Sequence, residues 1–379
     1  MKLLFLSQGH KISDHPGYQD ALIKLKNEGF ISDFLNIPYF GYAKDKGWDA
    51  FYSEVVRLCR EENYNVVFFQ YFHSREIPDP TKCVENLRKL NKPPIIITSC
   101  GDGFSDNWMR IDYPKSFKQI SKLADITFST QMGKAADKMI NWGANNVVLS
   151  PLSACQVRFR KQTIDPNLHK FDFDVVFVGS NNGPRLFQPT SKHWWGAKKR
   201  QQLVKALFKK FGNNFGLFGN GWDYSCAQGP IQFEQQQNVF KRGKIVVGGN
   251  PYSYSDYYAS NRPFISILSG IPTVELRVNR LDKILRNNDH CYFANDVDEV
   301  IELCEKLLKE DKEKLYAKAA NAAKYIEEKH TQFHRMKFML DTVKKYINNN
   351  NKLDVSFPFF LPEVDLNEEL NFATRIKIK

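Results

Sequence analysis

Three segments in the second half of the chain have residue types suited to holding phosphate. Phe177-Val178-Gly179-Ser180-Asn181-Asn182-Gly183, Phe218-Gly219-Asn220-Gly221-Trp222 and Val247-Gly248-Gly249-Asn250-Pro251 each follow a short apolar run. Glycine there lets main-chain N–H groups approach an anion, and a helix starting just after adds its positive end. Trp222 adds a flat ring for the face of a nucleobase. Arg262, in Asn261-Arg262-Pro263-Phe264, carries a planar fork that matches a diphosphate, although an exposed Arg at a helix start is the plainer reading. Lys244, just before an apolar run, is a weaker phosphate candidate. Glu275 closes a later run, where a carboxylate accepts both ribose hydroxyls, as an acid does in dinucleotide folds. Any one glycine loop alone reads better as an ordinary tight turn. Three on one sheet edge favour a nucleotide site.

The first half has polar segments in the same position after its own runs. They are Gly9-His10-Lys11-Ile12-Ser13-Asp14-His15-Pro16-Gly17, Phe69-Gln70-Tyr71-Phe72-His73 and Thr98-Ser99-Cys100-Gly101-Asp102-Gly103. His10, Asp14 and His15 are candidates for proton transfer or for contacts to sugar hydroxyls. Asp102, between two glycines, is an exposed carboxylate at a strand end and the candidate general base. A turn or helix cap is an equal reading of that residue. Asp172-Phe173-Asp174 has the look of a metal-binding acid pair. It begins a strand, away from the expected binding edge, and is set aside.

The elements that must position these residues follow from hydrophobic spacing. Apolar runs at 3–6, 31–37, 66–69, 94–98, 126–128 and 147–149 alternate with amphipathic helices at 17–28, 49–62 and 80–90. Residues 151–171, with Pro151 and Pro166, break the rhythm. It restarts with strands at 174–178, 215–218, 245–247, 271–276 and 291–294. Helices are expected at 197–210, 256–269, 296–309, 312–328 and 331–347. Alternation of this kind predicts an α/β chain with parallel sheets covered on both faces. Ligands then bind beyond the C-terminal ends of the strands. The expected domains are 1–155 and 156–348, both Rossmann-like. A cleft is expected between them, and 349–379 reads as an extended tail returning to the N-terminal domain.

Composition bounds the partners. The 379 residues exceed one ordinary core. A formal charge of +12 attracts phosphate-bearing molecules, though a bias toward Lys and Asn explains the charge equally well. The seven Cys are scattered with no CxxC pair, which suits reduced thiols and argues against a zinc ribbon. The apolar start MKLLFL is too short for a signal peptide core or a membrane span, so a cytoplasmic protein is expected.

From Asp174 to about 340 the chain resembles the C-terminal half of the CgeB-like glycosyltransferases, within the wider GT-B group. The resemblance rests on Val178-Gly179-Ser180, Lys199-Arg200-Gln201-Gln202-Leu203, Phe218-Gly219-Asn220-Gly221-Trp222, Lys244-Ile245, Asn261-Arg262-Pro263-Phe264, Ser269-Gly270 and Phe293-Ala294-Asn295-Asp296, in that order. It implies a GT-B fold, with 1–155 facing an acceptor and 156–348 holding the donor, a nucleotide-diphosphate sugar as co-substrate and no obligatory metal or cofactor. Together with the residues read above, the candidate donor set is Gly179, Ser180, Asn181, Arg200, Gly219, Gly221, Trp222, Lys244, Asn250, Arg262, Gly270 and Glu275. The chain departs from the family at Ile265, where such enzymes commonly have Glu. The corresponding acid contact is either lost or supplied by another residue, with Glu275 the candidate.

Basic residues interleaved with aromatics at 158–161, 192–200, 205–210 and 375–379 suit nucleic acid. One expected acceptor is therefore double-stranded DNA carrying a hydroxymethylated base. A cell-surface polysaccharide or a protein is the alternative acceptor, with the basic stretches as solvated surface. A non-catalytic nucleotide- or nucleic-acid-binding module is the reading from a different class, kept open by Ile265. The stereochemistry, the sugar, the base and the oligomeric state are not legible here.

Overall fold

The computed structural model describes residues 1–102, 113–181, 192–250, 255–353 and 374–376. By internal contacts these fall into two units. The first holds 1–102, 113–151, 332–353 and 374–376, and the second holds 152–331.

In the first unit β1 (Lys2–Ser7), β2 (Asp33–Pro38), β3 (Val66–Phe69), β4 (Ile95–Cys100), β5 (Ile126–Ser129) and β6 (Asn146–Leu149) form one parallel sheet. Its helices are α1 (Pro16–Asn27), α2 (Tyr39–Lys46), α3 (Trp48–Glu62), α4 (Thr81–Arg88), α5 (Lys115–Leu123) and α6 (Lys134–Asn141). Pro16 starts α1, where its fixed φ suits the first turn and no donor is lost. The strand order is β2-β1-β3-β4-β5-β6, the flavodoxin-like doubly wound order. The connections therefore reverse direction between β1 and β3.

The second unit repeats the plan. It runs β7 (Phe173–Val178), α7 (Lys192–Phe211), β8 (Phe215–Phe218), α8 (Gln236–Phe240), β9 (Gly243–Gly248), α9 (Arg262–Leu268), β10 (Thr273–Leu276), β11 (Tyr292–Ala294), α10 (Val297–Lys309) and α11 (Lys312–Lys329). Its parallel sheet is ordered β8-β7-β9-β10-β11, so the reversal falls between β7 and β9. Asp296 caps α10 by accepting from Glu299 N at 2.9 Å, and Asp311 caps α11 by accepting from Lys314 N at 2.9 Å. The expectation of two Rossmann-like α/β halves holds.

Two elements differ from the sequence reading. The helix expected over 256–269 spans only Arg262–Leu268. Pro263 lies in its first turn, the place a helix tolerates proline; further inside a longer helix it would remove a hydrogen bond and its ring would meet the carbonyl four residues back. The last helix, α12 (Gln332–Asn348), was grouped with the C-terminal half, but it belongs to the first unit. Its Met336, Met339, Leu340 and Val343 enter a core shared with Leu3, Phe5, Leu22, Val66 and Phe128. The buried Arg335 donates from Nε to Pro151 O at 2.9 Å. Beyond it β12 (Thr374–Ile376) pairs antiparallel with β6. Residues 354–373 of the expected tail lie outside the described residues.

Leu340→Ala should therefore destabilise the first unit rather than the second. The expected loss is about 2–5 kcal/mol, the usual cost of emptying a buried leucine site. Urea unfolding followed by a probe in each unit checks this.

Candidate functional site

In the second unit the loop after β7 is knotted to the loop after β8. Gly179 N donates to Phe218 O and Asn181 N to Asn220 O, both at 2.8 Å. Asn181 Nδ2 donates to Gly221 O at 2.9 Å, and Gln201 Nε2 to Asn181 Oδ1 at 2.9 Å. Trp222 Nε1 donates to Gly179 O at 2.6 Å, and its ring meets Phe177 edge-on at 6.2 Å. The approach requires Gly219, which sits at φ +137°, where a Cβ would collide with the Gly179 carbonyl.

Arg200, on α7, is only 2% exposed. Its Nη1 donates to Ser180 O at 3.1 Å and its Nε to Gly249 O at 3.0 Å. It thereby ties the loop after β7 to the loop after β9, across the point where the strand order reverses. Arg200 is a strut of the site and not a cation facing a ligand.

Beside this strut lies a small pocket, partly open to solvent. Val178, Gly248, Gly249, Asn250, Arg262, Ser266 and Glu275 are among its lining residues. Arg262 opens α9 and is half-buried. Glu275 comes from β10, in register with Gly248 of β9, and is 3% exposed. A Cβ on Gly248 would fall inside the Glu275 carboxylate, so the glycine makes room for the acid. Burial pushes the Glu275 carboxyl up to about 8, against the opposing pull of the Arg262 and Arg200 charges. Burial likewise lowers the pKa of Arg262, while Tyr258 and Glu275 act in the opposite direction. The pocket thus pairs a cation with an acid that carries its proton through much of the neutral range. Such a pair can hold an anion and donate to, or accept from, hydroxyls. Ile265, the position where the resemblance implies Glu, is fully buried in α9. The acid of this pocket comes from β10 instead.

Of the proposed donor residues, Asn250, Arg262 and Glu275 line this pocket. Gly179, Ser180, Asn181, Gly219, Gly221 and Trp222 form the adjoining knot. Two residues of the set lie elsewhere in the fold. Lys244 sits at the start of β9, on the opposite sheet edge, and its Nζ pairs with Asp174 at 2.6 Å. Gly270 ends α9 ahead of β10, with its N–H donating to Ile267 O at 3.0 Å, so it too faces the wrong edge. The Asp172-Phe173-Asp174 acids are engaged on that edge, Asp172 with Arg242 and Asp174 with Lys244.

In the first unit the three candidate catalytic residues follow β1 and β4. Asp14 Oδ2 accepts from His10 N at 2.7 Å and Lys11 N at 3.0 Å, which holds its carboxyl below the usual range. Asp14 is therefore a loop clamp. His10 is exposed beside Phe40, their rings 5.9 Å apart. His15 lies against Tyr18 and Tyr71, at ring distances of 6.3 and 6.4 Å. Asp102 is joined by His73, a residue that no sequence motif marks. His73 Nε2 is 3.0 Å from Asp102 Oδ2. Gln70, Tyr71 and His73 all follow β3, next to β1 at the reversal of strand order. That position was the available signal. Tyr71 has φ +49°, uncommon for a residue with a side chain and typical of sites where local strain serves a purpose.

Gly248→Ala should cost about 1–3 kcal/mol of stability, the range for overpacking a filled interior. Adding Glu275→Ala should restore most of it, a coupling that urea titration of the single and double variants reads directly. Glu275 also predicts a pH signature. Its folded pKa, about 8, lies above the ordinary glutamate value of 4.5. Its contribution to stability is then complete below about pH 4.5 and is lost as pH rises through 8. Melting temperature should fall over that window in the parent protein, and the fall should be smaller in Glu275→Gln.

Residues 199–341 match the family model described as glycosyl transferase-like. No curated protein matches the sequence. Among solved structures, the chain is similar to sucrose-phosphate synthase from Thermosynechococcus elongatus, at 11% identity and TM-score 0.55 over 92% of this chain and 100% of that one. It is similar to HepE from Anabaena in complex with UDP-glucose, at 12% identity and TM-score 0.52 over 91% and 100%. The apo form of the lipopolysaccharide outer core galactosyltransferase WaaB is similar at 10% identity and TM-score 0.54 over 91% and 100%. At these identities the likeness establishes the fold. The chain has the GT-B fold, with two Rossmann-like units, and residues 199–341 are similar to a glycosyltransferase domain.

Proposed function

We propose that this protein transfers a sugar from a nucleotide-diphosphate sugar to an acceptor hydroxyl. The second unit binds the donor, with Arg262 on the diphosphate and Glu275 toward the ribose hydroxyls or the sugar. Gly179, Ser180, Asn181, Gly219, Gly221 and Trp222 shape the adjoining wall. The first unit supplies Asp102 as general base, with His10 and His15 near the acceptor. The observation that carries the reading is the Arg262–Glu275 pocket at the strand-order reversal of a glycosyltransferase domain. HepE, a neighbour in fold, is known in complex with UDP-glucose, which favours a uridine nucleotide here. The narrower kinship with CgeB-like enzymes is part of this proposal, supported by the ordered motifs from Val178 to Asp296.

The acceptor reading favours a sugar or protein hydroxyl over a DNA base. In the described part of the basic stretches, several cations face acids. Arg158 pairs with Glu234 at 3.2 Å, Lys161 with Glu327 at 3.7 Å, and Lys210 with Glu305. Ion pairing of this kind weakens the field a polyanion would follow. The side chains of 192–195 and the end at 377–379, which the DNA reading also used, lie outside the described residues.

Thermal shift against UDP, GDP, ADP, CMP and their sugar conjugates tests the donor site. A nucleotide at a hundred times its dissociation constant should stabilise the protein by about 2.7 kcal/mol. Arg262→Ala should lose that shift. No shift from any nucleotide would overturn the donor site and favour a non-catalytic module. Duplex binding that vanishes as salt rises would return DNA to first place among acceptors.

A further inference from the structure

The described part of the first unit holds a cluster that the donor chemistry does not use. The loops after β1, β3 and β4 are stitched together where the strand order reverses. Gln8 N donates to Gln70 Oε1 at 3.2 Å, joining the loops after β1 and β3. Tyr71 N donates to Ser99 Oγ at 3.2 Å, joining β3 to β4. The Tyr71 and Tyr18 hydroxyls meet at 2.7 Å. The Cys100 thiol lies 3.3 Å from Asp102 O. A ring on Tyr71 fills the space over Gly101, so the loop before Asp102 is held in place. Gln70 is 1% exposed, and its Nε2 finds no hydrogen-bond partner among the described residues. A buried donor left open in this way is costly, and a hydroxyl or water oxygen would satisfy it.

Within this frame the members of the His73–Asp102 pair differ sharply in exposure. The His73 side chain is 8% exposed and that of Asp102 is 66% exposed, with 3.0 Å between Nε2 and Oδ2. A substrate can reach the carboxylate but not the imidazole behind it. We infer that His73 is a positioning residue that aims the Asp102 carboxylate at the acceptor hydroxyl, and that the two act as one unit. This rests on the transferase reading above. In the step itself the acceptor oxygen forms its bond to the anomeric carbon of the donor sugar. The bond from that carbon to the diphosphate oxygen breaks, and its electron pair leaves with the nucleoside diphosphate. The acceptor proton passes to Asp102. His73 Nε2–H holds the accepting oxygen in one orientation throughout, with no net change in its own protonation. Orientation of this sort acts on the rate of the chemical step and leaves donor affinity alone.

The test joins kinetics with a signature that needs no turnover. UDP-glucose, UDP-galactose, UDP-N-acetylglucosamine and GDP-mannose serve as donor probes, with free hexoses or water as acceptors, and nucleoside diphosphate release is read. His73→Ala should lower kcat by about 10–100-fold with donor KM and donor thermal shift unchanged. Asp102→Asn should lower it by about 10²–10⁴-fold, the span of general-base contributions. His73→Gln restores an N–H near the Nε2 position and should recover much of the rate, which a packing defect would not allow. In the free protein a hydrogen-bonded imidazole N–H proton should be visible by NMR and should disappear in Asp102→Ala. A folded His73→Ala protein with parental kcat overturns the inference. So does an imidazole signal indifferent to Asp102, or a Gln variant as slow as the Ala variant. A parental protein that releases no nucleoside diphosphate from any donor overturns the transferase reading itself, and the assigned role falls with it. That failure appears in the parent, whereas failure of the pair appears only in the variants.

Discussion

A parallel sheet is built outward from its first strand, and the point where building reverses direction cannot be closed by the chain's own connections. In both units the loops leaving the two strands at that point diverge, one toward each face of the sheet. The second unit spans this gap with one buried guanidinium, that of Arg200, bonded to a carbonyl on either side. The first unit spans it with Gln70, which bonds to the loop after β1, while the next residue, Tyr71, is braced against β4. The arrangement of the candidate groups depends on these bridges. Without them Gly249 and Ser180, or Gln8 and Ser99, would move independently, and no pocket wall would hold its shape.

The pocket shows what such a position costs. Glu275 is taken from water on a strand interior, and the room for it is a missing side chain at Gly248. A buried acid without full pairing is a poor choice for stability, and proteins keep such groups mostly where a ligand will use them. Tyr71 carries the same mark in the first unit, through a backbone angle that its side chain disfavours.

Much of the fold was legible because buried parallel strands are nearly continuous apolar runs. Leu3 to Leu6, Val66 to Phe69 and Phe215 to Phe218 announce themselves in this way. Short helices such as α5 and α8 went unread, since five to nine residues give too little periodicity to separate from a loop. Which unit α12 joins was not legible, because an amphipathic face does not name the surface it covers. For the site, position after a strand was informative, and Asn250, Arg262 and Glu275 do meet. Residue type alone misled. Lys244 and Gly270 resemble ligand contacts in sequence yet occupy the far edge of the sheet. Arg200 is spent on backbone carbonyls. His73 had no motif to mark it, and its pairing with Asp102 exists only once β3 and β4 are side by side.

The return of α12 to the first unit also sets an order of completion during synthesis. The described residues of the second unit all lie within 152–331, and all of them leave the ribosome before Met336, Leu340 and Val343 do. At roughly 5–20 residues per second, the first unit waits on the order of ten to forty seconds for the helix that covers Leu22 and Phe128. During that interval the later-encoded unit can finish while the earlier one keeps an apolar face open. The N-terminal unit is thus the last to be complete, and its uncovered core is the surface that a chaperone, or a second nascent chain, would meet first.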